Sequence, residues 1–239
     1  MSLPACLPKK AELEGETITS HDPMSNIDSK YHSSVFLFSE CLSILSATGS
    51  KVYGDKFRLI EEDHELIFKL IVYFMRDEEN AKKLQIDLGK GILLSGPIGC
   101  GKTALMNLFR FIVPGRRPYV MTSCRKVSFQ FIQEGYSIIQ KYSDCSFRKG
   151  KPELSPITHC FDDLGAENNL KYYGNDCNVM SEILLSRYEF YFDYGMISHI
   201  TTNLNSSEIE QLYGNRLRSR LRETCNVLAF PSDTRDKRH

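Results

Sequence analysis

Apolar positions change their spacing near residue 89 of the chain. Before that point, apolar residues recur every three or four positions over 35–45 and over 63–84, and this spacing predicts two helices. After it, short apolar runs alternate with helical stretches, a pattern that is typical of an α/β domain. We therefore expect a helical segment followed by a domain that is built around a sheet.

Five short apolar runs predict the strands of that sheet, namely 92–95, 119–122, 157–161, 196–202 and 226–230. Four further stretches predict helices, namely 102–111, 126–142, 177–191 and 207–223. Strands that alternate with helices pair in parallel, and helices cover both faces of such a sheet. The predicted fold class is therefore α/β, a three-layer sandwich around a five-stranded, mainly parallel sheet.

Local composition divides the chain into three parts. Residues 1–30 are rich in proline and polar side chains and lack an apolar period, which predicts a flexible tail. Residues 31–85 then form an N-terminal helical segment, and residues 86–239 form the α/β core.

The overall composition excludes two classes of protein. Of the 239 residues, 41% are hydrophobic and 11% are aromatic, so the chain is too apolar to be disordered throughout. The 30 Lys and Arg residues are balanced by 30 Asp and Glu residues, which excludes a polybasic protein that coats nucleic acid. Any contact with nucleic acid therefore needs a local basic patch.

The eight cysteines are spread along the chain, and none forms a Cys-x-x-Cys pair for a zinc or redox site. The longest apolar stretch, 66–75, is interrupted by Lys69 and is too short to span a membrane. The sequence therefore predicts a soluble, cytoplasmic protein with reduced thiols and no membrane partner.

The segment 96–103 matches the pattern G-x-x-x-x-G-K-[ST] in full, between a predicted strand and a predicted helix. Its glycines let backbone N–H groups turn towards phosphate oxygens, and the helix adds the positive end of its dipole. Lys102 is expected to reach the β- and γ-phosphates of ATP, and the Thr103 hydroxyl to bind Mg²⁺. The predicted nucleotide-binding residues of this phosphate loop are Gly96, Pro97, Ile98, Gly99, Cys100, Gly101, Lys102 and Thr103.

Two adjacent carboxylates, Asp162 and Asp163, end the predicted strand 157–161. Paired carboxylates at the end of a buried strand are costly without a cation, and Mg²⁺ would supply that cation. Asp162 is expected to order the metal and its waters, and Asp163 to orient and deprotonate the attacking water. An ordinary strand-to-turn Asp-Asp-x-Gly segment is the structural alternative.

Asn203 follows the predicted strand 196–202. If this strand lies between the phosphate-loop strand and the carboxylate strand, Asn203 emerges at the edge of the sheet where α/β folds bind ligands. It would there hold the attacking water or a γ-phosphate oxygen.

The last predicted helix carries four arginines in two pairs. At about 100° per residue, Arg216 and Arg220 share one face, whereas Arg218 and Arg222 share another. An arginine pair held in this way at the edge of the domain could meet a phosphate that a neighbouring subunit binds.

In their order along residues 86–238, these motifs resemble those of AAA+ ATPases of the DnaC helicase-loader group and of the related IstB transposition helpers. The resemblance implies that Thr202-Asn203 is sensor 1 and that 215–221 is the box with the arginine finger, Arg216 or Arg220. It also implies that Arg235 is the sensor-2 arginine, which contacts the nucleotide.

The resemblance further implies a P-loop NTPase core of the AAA+ type with a short N-terminal helical extension. Only thirty-six residues follow Asn203, and this length predicts that the helical lid domain of most AAA+ proteins is absent. ATP and Mg²⁺ would be bound between the subunits of an ATP-dependent homo-oligomer. The implied catalytic residues are Lys102, Asp163, Asn203, Arg216 and Arg220. The implied metal ligands are Thr103 and Asp162.

The same resemblance implies partners in DNA replication. These are single-stranded DNA and a replicative helicase, or a transposase in the IstB-like alternative. Helix 126–142 and the basic residues Arg148, Lys149 and Lys151 that follow it offer a segment that could face DNA.

Other functions stay open at the level of the residues. A small-molecule P-loop kinase would need arginines in a mobile lid, and the Asp-Asp pair with a late arginine helix fits a water-activating ATPase better. A GTPase is disfavoured because no Asn-Lys-x-Asp segment for guanine recognition occurs. A scaffold that binds ATP without hydrolysing it is the remaining alternative.

Overall fold

The computed structural model describes residues 23–112, 119–148, 155–167, 170–172 and 175–237. The chain divides into two compact units. The first takes in residues 1–88 and 104–118, and the second takes in residues 89–103 and 119–239. The division after residue 85 that the sequence indicates stays a prediction.

The first unit begins with helices α1 (Pro23–Lys30), α2 (Phe38–Tyr53), α3 (His64–Met75) and α4 (Glu78–Lys83), with a 3₁₀ turn at Glu61–Asp63. Helix α1 lies inside the stretch predicted as a flexible tail, of which residues 1–22 lie outside the described residues. The Asp28 carboxylate accepts hydrogen bonds from Ser39 N–H at 2.9 Å and from Ser39 Oγ at 2.6 Å. These bonds tie α1 to the first turn of α2, so the helical region begins earlier than the sequence indicates.

The sequence predicts one helix over 63–84, and the structure divides it after Met75. Arg76 adopts the left-handed conformation, with φ of 56°, and ends α3. The Asp77 carboxylate then caps α4, because it accepts a hydrogen bond from Asn80 N–H at 3.1 Å. The apolar spacing continues across this break, so periodicity alone could not reveal it.

The second unit contains the strands β1 (Gly91–Ser95), β2 (Val120–Ser123), β3 (His159–Leu164), β4 (Leu170–Tyr172), β5 (Asn175–Cys177), β6 (Ser198–Thr202) and β7 (Cys225–Ala229). Five of them form one sheet in the order β2-β3-β6-β1-β7, and all four neighbouring pairs are parallel. The predicted α/β class and five-stranded sheet are therefore confirmed. Strands β4 and β5 form a short antiparallel hairpin that the sequence does not predict.

The remaining helices are α5 (Lys102–Phe109), α6 (Cys124–Glu134), α7 (Ser137–Tyr142), α8 (Val179–Tyr194) and α9 (Ser206–Thr224). The predicted helix 126–142 is in fact two helices, because Gly135 has φ of 63° and ends α6. Gly214, with φ of 85° and ψ of 159°, introduces a kink into α9. Both corrections fall at glycines, which adopt positive φ at little steric cost.

Both faces of the sheet are buried at its three central strands, β3, β6 and β1. Leu93, Phe161 and Ile200 lie in one apolar core with residues of α6, α7, α8 and α9. Adjacent residues of a strand point to opposite faces, and Ile92 and Cys160 on the other face are fully buried as well. This burial on both sides is what a parallel α/β sheet requires.

A buried arginine on α8 fixes the end of the sheet opposite the site described below. Arg187 is 1% exposed, and its guanidinium donates to Ser198 Oγ at 2.7 Å and to the carbonyls of Tyr142, Ile157 and Ile197 at 2.8–3.0 Å. Burial lowers the pKa of Arg187 to about 9. The four acceptors offset the cost of burying the charge.

Within the described ranges, no helix is long and apolar enough to cross a membrane. The seven cysteines in this part of the chain carry free thiols. Nor do the described residues contain a group of three or more His, Cys, Asp or Glu side chains that could hold a metal ion.

Candidate nucleotide-binding and hydrolysis site

The order of the strands brings the predicted motifs to one edge of the sheet. Strand β6 lies between β1, which leads into the phosphate loop, and β3, which carries the two carboxylates near its end. This is the position on which the predicted role of Asn203 depends. Because the three strands are parallel, their carboxyl ends meet at the edge where open α/β sheets bind ligands.

The phosphate loop turns between β1 and α5 with two glycines in conformations that other residues rarely adopt. Gly99 has φ of 79° and Gly101 has φ of 105°. Helix α5 begins at Lys102, so the amides of its first turn have no partner within the helix. Such a loop offers N–H groups and a positive helix end to an anion.

Lys102 lies within the loop itself. Its side chain is buried, and Nζ donates to the carbonyls of Gly96 at 2.8 Å and Pro97 at 2.7 Å. The ammonium group is therefore already desolvated and held beside the loop. Cys100 is fully buried next to it, and burial raises the pKa of the Cys100 thiol, which disfavours the reactive thiolate.

Thr103 and Asp162 contact each other directly. Thr103 Oγ1 donates to Asp162 Oδ1 at 2.9 Å, and Thr201 Oγ1 on β6 donates to the same carboxylate oxygen at 2.7 Å. A hydroxyl and a carboxylate are hard oxygen donors of the kind that Mg²⁺ prefers, and a P-loop site needs only one or two protein ligands besides phosphates and water. Thr103 and Asp162 therefore fit the predicted metal site.

Asp163 has an unusual backbone conformation. It adopts the left-handed region with φ of 61°, and its N–H donates to Thr201 Oγ1 at 2.8 Å. Its carboxylate accepts a hydrogen bond from Asn203 Nδ2 at 3.2 Å. The predicted water-activating acid, near the end of β3, and the predicted sensor, directly after β6, thus lie side by side.

Two further residues in this region, Glu167 and Tyr213, were not predicted from the sequence. Glu167 accepts hydrogen bonds from Gly165 N–H at 2.9 Å and from the Tyr213 hydroxyl. Burial, and next the Glu167 charge, raise the pKa of Tyr213 well above its usual range. This pair links the turn after the carboxylates to the residue before the Gly214 kink. The sequence contains only a weak signal for this pair, namely an acidic residue two positions after Gly165.

The structure distinguishes the two arginines that were predicted as alternative fingers. Arg216 is exposed, and within the described part of the chain its side chain has no hydrogen-bond or ion-pair partner. Arg220 lies over the Tyr188 ring, 4.3 Å from its centroid, and donates to the Tyr188 hydroxyl at 2.7 Å and to Glu223 Oε2 at 3.1 Å. The Arg218 guanidinium donates a hydrogen bond to Asn215 Oδ1 at 2.9 Å.

The segment after β7 lies against the phosphate loop. Lys237 N–H donates to the Gly99 carbonyl at 3.1 Å, and a β-carbon on Gly99 would lie 2.1 Å from the Asp236 carboxyl group. The predicted sensor-2 residue, Arg235, is exposed in this segment. The residues that follow Arg235 therefore reach the loop, whereas among the described residues Arg235 itself makes no hydrogen bond or ion pair with the loop.

The predicted DNA-facing segment is only partly within the described residues. Lys149 and Lys151 lie outside them, whereas Phe129 and Ile132 of α6 are exposed, as is Tyr136 between α6 and α7. The Arg125 guanidinium lies 5.5 Å from the centroid of the Phe129 ring.

Comparison with known proteins finds similar structures but no similar sequences. No protein-family model and no curated protein matches the chain. Among solved structures, the chain is similar to the crystal structure of the DnaC helicase loader, with 14% identity, a TM-score of 0.48, and coverage of 74% of this chain and 95% of that chain. It is also similar to the crystal structure of DnaI, with 16% identity, a TM-score of 0.42, and coverage of 68% and 85%.

Proposed function

We propose that this protein is an AAA+ ATPase that acts in DNA replication as a DnaC-like helicase loader. The observation that carries the ATPase proposal is the contact network at the sheet edge, in which Thr103 bonds to Asp162 and Asn203 bonds to Asp163. These contacts gather the predicted metal-binding and water-activating groups beside the phosphate loop.

Binding would use the loop and its lysine. The first-turn amides of α5 and the Lys102 ammonium group would hold the phosphates of ATP. Thr103 and Asp162 would hold Mg²⁺, which, when bound, neutralises charge on the phosphates. Lys102 would then leave its bonds to the loop carbonyls, so nucleotide binding would also reorder the loop.

Hydrolysis would use Asp163 and Asn203. The Asp163 carboxylate would accept the proton of the attacking water, and the Asn203 amide, 3.2 Å away, would orient that carboxylate and the water. Both groups are exposed or half-buried at the open edge of the sheet, where water has access. This arrangement favours water over an organic phosphate acceptor.

A neighbouring subunit would complete the site with an arginine. Arg216 suits this role because it is exposed and has no side-chain partner within the described residues. Arg220 is held by Tyr188 and Glu223 within its own subunit, which suits a residue that fixes the helix. A trans arginine stabilises the charge that develops in phosphoryl transfer.

The loader role is supported by the order of the motifs, and its partners follow from that role. Single-stranded DNA could stack on the exposed aromatic rings of Phe129 in α6 and Tyr136 just after it, and Arg125 adds positive charge beside Phe129. A replicative helicase would be the protein partner, and a transposase would take its place in the IstB-like alternative.

The test combines three measurements on the full chain. Phosphate release, assembly size by light scattering, and binding to single-stranded DNA are followed with and without Mg-ATP. With Mg-ATP we expect the protein to assemble, to release phosphate and to bind single-stranded DNA. We expect Lys102→Ala to show none of these three ATP-dependent changes. Turnover by a strictly monomeric protein that does not bind DNA would contradict the loader role. It would favour a solitary ATPase or a kinase instead.

A further inference from the structure

Thr201 contacts both carboxylates of the site, and no motif assigns it a role. The residue is fully buried on β6, and Oγ1 is its only side-chain polar atom. Oγ1 accepts the Asp163 N–H at 2.8 Å and donates its own proton to Asp162 Oδ1 at 2.7 Å. A hydroxyl has one proton to donate, so the direction of both bonds is fixed.

The irregular pairing of β3 with β6 explains why a side chain is needed at this point. Phe161 pairs with Ile200 and Leu164 pairs with Thr202, so the register shifts between Phe161 and Leu164. Two residues of β3, Asp162 and Asp163, therefore lie opposite the single residue Thr201. The Thr201 hydroxyl takes the Asp163 N–H that a regular ladder would have paired with a carbonyl.

We propose that Thr201 is a positioning residue for ATP hydrolysis, which orients the Asp162 carboxylate and holds Asp163 in its left-handed conformation. This inference rests on the proposed function. A non-glycine residue keeps positive φ only where its surroundings hold it there. Thr201 supplies such a hold and, through the same oxygen, fixes the carboxylate that lies against Thr103.

Three variants separate this role from an ordinary contribution to the core. Thr201→Val keeps the shape but loses both hydrogen bonds, whereas Thr201→Ser keeps the hydroxyl. Thr122→Val is the matched control, since Thr122 is a buried sheet threonine whose hydroxyl contacts His159 rather than the site. If the valine variant does not fold, Thr201→Ala replaces it.

We expect Thr201→Val to lower kcat by about 10²-fold, the loss that a small misplacement of reacting groups can cause. The Mg²⁺ concentration needed for half-maximal ATP binding should rise as well, because Asp162 loses its second hydrogen bond. Thr201→Ser and Thr122→Val should keep both values within a few-fold of the parental protein. A parental kcat and Mg²⁺ requirement in Thr201→Val would overturn the inference.

Amide hydrogen exchange gives a second readout that needs no turnover. In the full chain without nucleotide, Thr201→Val should exchange faster at the Asp163 amide, while the amides of the β1–β6 ladder keep parental rates. Unchanged exchange at Asp163 would also overturn the inference. A wild type that binds Mg-ATP without hydrolysing it would contradict the proposed function instead, and the exchange and Mg²⁺ readouts would still decide the role of Thr201.

Discussion

Thr103 and Asp162 are fifty-nine residues apart in the sequence, and a 2.9 Å hydrogen bond joins their side chains. One residue ends the phosphate loop and the other lies near the end of β3. Strands β1 and β3 both run parallel to β6, which lies between them, so the two ends meet at one edge. Substitutions in either motif should therefore alter the same reaction.

Replacing Lys102 should abolish tight binding of Mg-ATP. Lys102 is the only charged residue between positions 96 and 103, so Lys102→Ala removes the loop's fixed positive charge. Calorimetric titration with Mg-ATP measures the effect, and circular dichroism checks that the fold survives. Lys126→Ala, at an exposed position of α6, is the matched control and should bind as the parental protein does. Undiminished affinity of Lys102→Ala would remove the loop from the mechanism.

Replacing Asp163 should separate binding from turnover. Asp163 is proposed to act on water, whereas the loop and Lys102 act on the phosphates, so Asp163→Asn should retain ATP affinity. Loss of a general base lowers turnover by roughly 10²–10⁴-fold. Phosphate release under saturating ATP tests this value. Turnover at the parental rate would mean that another group positions the water.

Arg216 and Arg220 should give different phenotypes although they share a helix face. Arg216→Ala should lose turnover and keep the parental melting temperature, because its side chain is exposed. Arg220→Ala should lower the melting temperature, since it breaks the contacts with Tyr188 and Glu223. Arg222→Ala, also exposed on α9, is the control for both. Equal loss of turnover without destabilisation in Arg216→Ala and Arg220→Ala would contradict this division of roles.

The sheet and the phosphate loop could be predicted because their signals are local. Apolar runs mark the five strands, and glycines followed by a lysine mark the loop. Both signals can be identified without knowing the tertiary structure. The breaks at Arg76, Gly135 and Gly214 could not be predicted, since the apolar spacing continues through them. The β4–β5 hairpin contains no apolar run and therefore gave no signal.

Contacts within the site were harder to predict than the motifs. Thr201 reaches Asp162 and Asp163 across a register shift, and Glu167 reaches Tyr213 from forty-six positions away. Only the three-dimensional pairing of β3 with β6 and the course of α9 bring these groups together.

Two buried histidines should make the fold sensitive to acid. His199 Nδ1 accepts the Ile92 N–H at 3.0 Å, and His159 contacts the hydroxyls of Thr122 and Ser146 at 3.3 Å and 3.1 Å. Burial, with a smaller effect of the Arg187 charge, lowers the pKa of each histidine from 6.5 to about 3. The unfolded chain therefore takes up protons first as the pH falls.

The stability that these histidines contribute should be complete above pH 6.5 and decline as the pH falls from about 6.5 towards 3. Urea unfolding at pH 7.5, 6 and 5 measures this decline. His199→Gln retains an acceptor for Ile92 N–H and cannot be protonated, so its stability should fall less over the same interval. An identical decline in wild type and His199→Gln would show that burial of His199 does not govern acid sensitivity.

The most direct test of catalysis between subunits is phosphate release by a mixture of Asp163→Asn and Arg216→Ala proteins. Each alone should be inactive, but random mixing at equal concentrations pairs an intact Asp163 with a neighbour's intact Arg216 at roughly a quarter of head-to-tail interfaces. Asp163→Asn mixed with an Asp163→Asn/Arg216→Ala double variant is the control, because no interface then holds Asp163. We predict partial recovery of ATP turnover in the first mixture alone. No recovery, with co-assembly demonstrated by affinity capture of one variant through a tag on the other, would contradict a site that two subunits share.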